Sequence, residues 1–214
     1  IAFEASVAGG IPIITNISQC LSANQVTSLR GILNGTSNFV ITRMDQDNLP
    51  YEKAIARAQQ LGFAEADPIH DVDGSDSTQK LAILAHLGFG ARIRWNDIPC
   101  RGIDTLDKAD MNYARQLGYR IKLIAFALYT ENGLQLIVTP MLVEIGKPLA
   151  EVRENFNAIS VVGDAVGPVF FHGQGAGRMP TASAIVADMI DTAVGRTAMT
   201  IETLELWSDG VPRV

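Results

Sequence analysis

The chain has 214 residues, 47% of them hydrophobic, and its 17 Lys+Arg against 23 Asp+Glu give a formal net charge of −6 at pH 7. That is ample for a packed core in one or two domains. No cluster of positive charge offers nucleic acid a footprint, and no apolar run reaches the length of a membrane span.

No basic start followed by an apolar stretch marks a secretory signal. Cys20 and Cys100 lie far apart, without metal-ligand spacing, and read as small buried apolar residues of a reducing, cytoplasmic setting. The chain begins with Ile1 rather than Met, so a longer polypeptide is expected.

Along the chain, Ala8-Gly9-Gly10 suits a loop whose backbone approaches another group closely. Residues 11–14 are expected to be extended and Val26–Ile32 a strand. Asn34-Gly35-Thr36-Ser37-Asn38 reads as a turn opening a helix that continues through 39–44. A second helix covers 51–61, apolar at Ala54, Ile55, Ala58 and Leu61 and closed by Gly62.

An acidic loop, 65–76, precedes a helix over about 77–87, with Ser75 or Asp76 as its expected cap. Apolar residues nearly all round that helix place it centrally. A helix end follows at 113–118, then a strand at 120–129, a hairpin turn at Asn132-Gly133 and a return strand at 134–139. Residues 148–150 open a short helix, 157–162 and 167–172 form a second hairpin, and Pro180 starts a helix over 181–194. The alternation predicts an α+β fold: a mixed, largely antiparallel β-sheet with helices packed on one face.

The informative stretch is the acidic loop. Glu65, Asp67, Asp71, Asp73 and Asp76 crowd together, and no basic residue interrupts them before Lys80. Like charges at this density repel, so a cation, an ammonium substrate or Lys80 itself is expected to balance them. Asp76 and Lys80 are four apart and share a helix face. Lys80 also stands on an otherwise apolar helix, which suits a partly desolvated lysine to proton transfer. Acidic loops also precede helices simply because negative charge favours the N-terminus, so the charge pattern by itself leaves both readings open. A calcium loop counted from Asp71 places Asp76 where glycine is needed and Ala82 where glutamate is needed, so an EF-hand is excluded.

The run Ala58, Gly62-Phe63-Ala64, Asp67-Pro68, Asp71-Val72, Gly74, Asp76, Lys80 closely resembles the signature of homoserine dehydrogenases. Residues 3–12, 31–38 and 175–184 are similar to the same family, so the resemblance runs from Ile1 to about Ala193. It implies NAD(P)-dependent interconversion of L-homoserine and L-aspartate 4-semialdehyde, on the route to threonine, methionine and isoleucine. It implies Lys80 as proton donor with Asp76 beside it, Glu65 holding the substrate ammonium, Asp71 and Asp76 as supporting acids, and Thr36 meeting substrate.

Gly62 and Gly175 resemble minor cofactor contacts. Glu4 with the backbone carbonyls of Val7, Gly9 and Ile11 resembles a monovalent metal site, expected to take sodium; on its own, Glu4 reads equally as a cap for the glycine-rich loop.

The family's nucleotide-binding domain and its G-x-G-x-x-G fingerprint are absent: Gly173, Gly175 and Gly177 give G-x-G-x-G, with Arg178 where the third glycine would stand. The expected organisation is a catalytic and dimerisation domain over 1–162. Residues 163–214 are then a C-terminal glycine-rich loop and helix that pack on a nucleotide-binding domain. A homodimer is expected, and the chain by itself is expected to be inactive. A cofactor-free oligomerisation or amino-acid-binding module derived from the same fold is the alternative.

Overall fold

A computed structural model describes residues 1–198 and 200. Its strands are β1 (Val26–Ile32), β2 (Tyr119–Thr130), β3 (Gly133–Glu144), β4 (Phe156–Gly163) and β5 (Gly167–Gln174). They form one antiparallel sheet ordered β3-β2-β1-β4-β5. The helices are α1 (Ile13–Thr15), α2 (Gly35–Gln46), α3 (Tyr51–Gln60), α4 (Ile69–Val72), α5 (Ser75–Phe89), α6 (Lys108–Gln116) and α7 (Arg178–Ala193). No helix among the described residues is long and apolar enough to cross a membrane.

Side-chain alternation decides the layers. Leu29 of β1, Leu123, Ala125 and Ala127 of β2 and Ile159 and Val161 of β4 point to one face, where they join Val40 and Met44 of α2 and Leu81 and Leu84 of α5 in the main core. Leu81 and Leu84 are fully buried, each worth about 1.5–3 kcal/mol. The opposite face carries a smaller cluster of Ile32, Ile124, Leu149, Val152 and Ala158, with Phe126, Met141 and Phe156 packed against it. Beyond that cluster the face is open to solvent, and Arg30 lies over the Phe126 ring at 5.4 Å.

The strands and hairpins fall where the sequence places them, with longer ends. β3 runs through Pro140 to Glu144 because it is an edge strand, where a missing N–H breaks no inner ladder. β5, expected within the C-terminal segment, pairs with β4 along its whole length. Residues 199 and 201–214 of that segment lie outside the described residues.

Cys20 and Cys100, expected to be buried, are both exposed, α7 begins at Arg178 rather than at Pro180, and three other helix starts differ from expectation. Residues 11–14 are not extended: Ile13–Thr15 is a helical turn that runs on into a π-helical turn, Asn16–Cys20. The cause is the Glu4 carboxylate, which accepts from the Ile14 N–H (2.8 Å), the Thr15 N–H (2.9 Å) and the Thr15 hydroxyl (2.6 Å). These are donors that a helix start otherwise leaves unpaired. α6 begins at Lys108, five residues before the expected helix end, because Asp107 and Asp110 form a reciprocal capping box. α5 begins at Ser75 after Gly74, which holds φ +88, and neither Ser75 nor Asp76 caps it.

Candidate active site

The site is built on the junction between β1 and α2. The Asn155 carbonyl leaves no space for a side chain on Gly35, since a Cβ there would lie 2.7 Å from the oxygen. Asn34 caps α2: its Oδ1 accepts from the Ser37 N–H (2.8 Å) and the Ser37 hydroxyl (3.0 Å). With the oxygen fixed on the helix, the amide nitrogen faces the other way. It donates to Asp71 Oδ1 at 2.7 Å and Asp76 Oδ2 at 2.9 Å.

Lys80 Nζ reaches the same place. It donates to Asp76 Oδ2 (2.7 Å) and to the Leu33 carbonyl (3.0 Å). Side-chain exposure is 21% for Lys80 and 29% for Asp76. The group is thus partly screened from water yet open on one side.

The five acids of the loop divide by task. Asp67 accepts from the Ile69 N–H (3.3 Å) and Asp73 from the Ser75 N–H (2.8 Å), which are turn contacts. Asp71 and Asp76 instead share Asn34, and Asp76 also takes Lys80. Two carboxylates against one ammonium leave one negative charge in excess, which suits a further cation. An ammonium carries three donors; Lys80 uses two on protein, leaving the third for a bound oxygen.

The backbone between α4 and α5 is braced from behind. A Cβ on Gly74 would meet Cys100 Sγ at 2.7 Å, Gly102 lies tight against the Val72 carbonyl and Asp73, and the Ile103 N–H donates to the Val72 carbonyl (2.8 Å).

Thr36 does not join the acids. Its hydroxyl donates to the Phe63 carbonyl (2.6 Å), and the Phe63 ring lies 5.0 Å from that of Phe39. These contacts tie the loop after α3 to the start of α2. That loop carries Gly62, exposed at φ +75 as the turn that ends α3, and Glu65, whose exposed carboxylate makes no ion pair among the described residues.

The glycine-rich segments meet each other. The Gly10 N–H donates to the Gln174 carbonyl (3.0 Å), and a side chain on Gly10 would collide with that oxygen. Gly175 packs so closely on the buried Asn157 side chain that no Cβ fits. The close approach expected at Ala8-Gly9-Gly10 is therefore made to the chain itself.

The ion expected at Glu4, Val7, Gly9 and Ile11 would meet two groups that already carry hydrogen bonds. Both Glu4 carboxylate oxygens are taken by residues 14 and 15, and the Ile11 carbonyl accepts from the Ile13 N–H (2.7 Å). Glu4 acts as a cap.

Two residues near the site escape sequence reasoning. Asn34 is one. The other is Lys122, buried on β2, whose Nζ donates to Asn38 Oδ1 (3.0 Å) and to the Val152 carbonyl. Asn38 in turn donates to the carbonyls of Val152, Glu154 and Phe156, which fastens α2 to the segment before β4. Burial, reinforced by Arg120, pushes Lys122 down to about 8.

Comparison with known proteins bears directly on this arrangement. A sequence model of the homoserine dehydrogenase family matches residues 12–190. The homoserine dehydrogenase of Bacillus subtilis is 45% identical over 190 residues, covering 89% of this chain and 44% of that protein. That of Pseudomonas aeruginosa is 46% identical over 198 residues, covering 92% and 46%. The crystal structure of a homoserine dehydrogenase from Thiobacillus denitrificans superposes with a TM-score of 0.89 at 45% identity, over 92% of this chain and 46% of that one. A hyperthermophilic archaeal homoserine dehydrogenase solved in complex with NADPH gives 0.75 at 26% identity, over 90% and 55%. The chain spans about half the length of these relatives.

Proposed function

The chain belongs to the homoserine dehydrogenase family, and we propose that it is the substrate-binding and proton-transfer half of such an enzyme. The reaction is the interconversion of L-homoserine and L-aspartate 4-semialdehyde with NAD or NADP, a step of threonine, methionine and isoleucine biosynthesis in the cytoplasm. The observation that carries this reading is the free third donor of Lys80 on an ammonium steered by Asp76 and the Leu33 carbonyl.

In the reducing direction, Lys80 directs an N–H at the aldehyde oxygen, stabilises negative charge as it develops there, and passes the proton. In the oxidising direction its neutral amine takes the hydroxyl proton. Asp76 holds the ammonium in place. Asp71 and Asp76, with one negative charge in excess, together with Glu65 on the neighbouring loop, bind the substrate's α-ammonium group. Thr36 contributes by holding that loop against α2.

The nicotinamide cofactor supplies and receives the hydride when bound. Its phosphates are read as held elsewhere, a reading supported by the tight packing of Gly173 on Ile11 and of Gly175 on Asn157. Gly62 and Gly175 are then minor backbone contacts to it, and the main binding surface comes from a nucleotide-binding half. The open sheet face, where Phe126, Met141 and Phe156 are incompletely covered, is the surface through which two copies associate as a homodimer.

Mixing the purified chain with homoserine and NAD or NADP, alone and joined to a nucleotide-binding half, tests the reading. Reduced cofactor is expected only from the two-part enzyme. Dehydrogenase-level turnover by the chain alone, or none by the two-part enzyme, contradicts it.

A further inference from the structure

Asn34 touches Asp71 and Asp76, two of the three candidate substrate acids, and the start of α2, and all the hydrogen-bonding groups of its side chain are in use. Its oxygen takes the Ser37 N–H and hydroxyl, and its nitrogen gives one N–H to Asp71 and one to Asp76. The oxygen contacts fix which way the amide faces, since turning it over would set N–H against N–H at Ser37 and oxygen against two carboxylates. The backbone just before it, the Leu33 carbonyl, takes the Lys80 ammonium. Asn34 is buried at 5% exposure, so water cannot replace the two donors at little cost.

We propose that Asn34 is a positioning residue for the reaction: it holds Asp71 and Asp76 side by side as charged acceptors and thereby sets where Lys80 points its free N–H. This rests on the functional reading above. The chemistry demands an amide. Serine, aspartate and asparagine cap helices almost equally well, so the cap alone does not select among them. Only asparagine at this length offers an acceptor to the helix together with two N–H donors to the acids. Aspartate would set a third carboxylate against Asp71 and Asp76, with no donor between them. Serine keeps an acceptor for the helix but is too short to reach both acids.

The test uses these two variants, both competent as caps. In the two-part enzyme, Asn34→Ser is expected to stay folded at the assay temperature though melting lower than wild type, since two partly buried acids lose their donors, and to lose about ten- to a hundred-fold in kcat, the loss associated with hydrogen bonds to charged groups. Asn34→Asp is expected to lose more at neutral pH. Its activity relative to wild type should rise as the pH falls, because the introduced carboxyl regains one donor when it is protonated. A residue that merely capped α2 would show neither effect. In the 214-residue chain, the Lys80 ammonium signal in nitrogen-15 NMR is expected to be lost to solvent exchange on Asn34→Ser while the Ser37 backbone amide stays in place. Wild-type kcat in Asn34→Ser with an unchanged Lys80 signal overturns the proposal. A lost Lys80 signal in Asn34→Ser, beside a wild-type two-part enzyme that does not act on homoserine, leaves the positioning role standing and overturns the functional reading instead.

Discussion

Lys80 Nζ stands 2.7 Å from Asp76 Oδ2, one helical turn earlier on α5, and that same oxygen takes a hydrogen bond from Asn34 at 2.9 Å. The pair is therefore not a free surface ion pair, which would contribute little and adopt many geometries. It is held from a second element, the β1–α2 junction, and the ammonium is held there too through the Leu33 carbonyl. A strand end, a helix start and a second helix thus fix one proton-bearing group relative to two carboxylates. Positioning of this kind is what lets a proton arrive as charge develops.

Glu65 is an exposed acid on the loop that Thr36 fastens. Glu65→Gln keeps its shape and removes its charge. In the two-part enzyme the KM for homoserine is expected to rise about ten- to a hundred-fold, the effect of an ammonium left without a charged partner, with kcat nearly unchanged. Steady-state kinetics over a range of homoserine concentrations measure this, and an unchanged KM assigns Glu65 to the loop's structure.

Lys122 predicts a pH dependence of stability. Folding pushes it from 10.5 down to about 8, chiefly through burial and then through Arg120, with Asp45 opposing. Between those values the unfolded chain binds more protons than the folded one, so stability rises with pH across that window. The full cost of a charged buried lysine is present below about pH 8. It is relieved toward pH 10.5, by on the order of 3 kcal/mol at most. Denaturant unfolding at pH 7, 8, 9 and 10 should show this rise in the wild type and a flatter profile in Lys122→Met. Parallel profiles would place the rise elsewhere.

Much of this was legible in the sequence. The spacing of Asp76 and Lys80 placed them on one helix face, and Asn132-Gly133 announced the β2–β3 hairpin. What was hidden depended on distance along the chain. Asn34 reaches Asp71 and Asp76 across 37 and 42 residues, and without the fold it was only a turn residue. Glu4 induces a helical turn ten and eleven residues away, so the apolar run at 11–14 read as a strand. The length of β3 was concealed by Pro140, whose tolerance follows from an edge position that only the sheet order reveals. The acidic loop showed a cluster of five acids but not its division, because Asp67 and Asp73 differ from Asp71 and Asp76 only in what lies opposite them.

The open sheet face predicts the assembly state. Phe170 on β5 is 39% exposed there, beside the incompletely covered Phe126, which is costly for a surface that meets only water. Light scattering at micromolar concentration should report a dimer, and Phe170→Lys should shift it toward monomer. A wild-type monomer contradicts the dimer.

Lys80 is the residue proposed to handle the proton. The most direct test of that role is the turnover of Lys80→Met in the two-part enzyme, since methionine retains an apolar stem and removes the ammonium. Loss of a positioned acid typically costs ~10²–10⁴-fold, and a drop of that size in kcat is expected at the wild-type pH optimum, with a much smaller change in the KM for homoserine. Turnover close to wild type would show that Lys80 does not carry the proton.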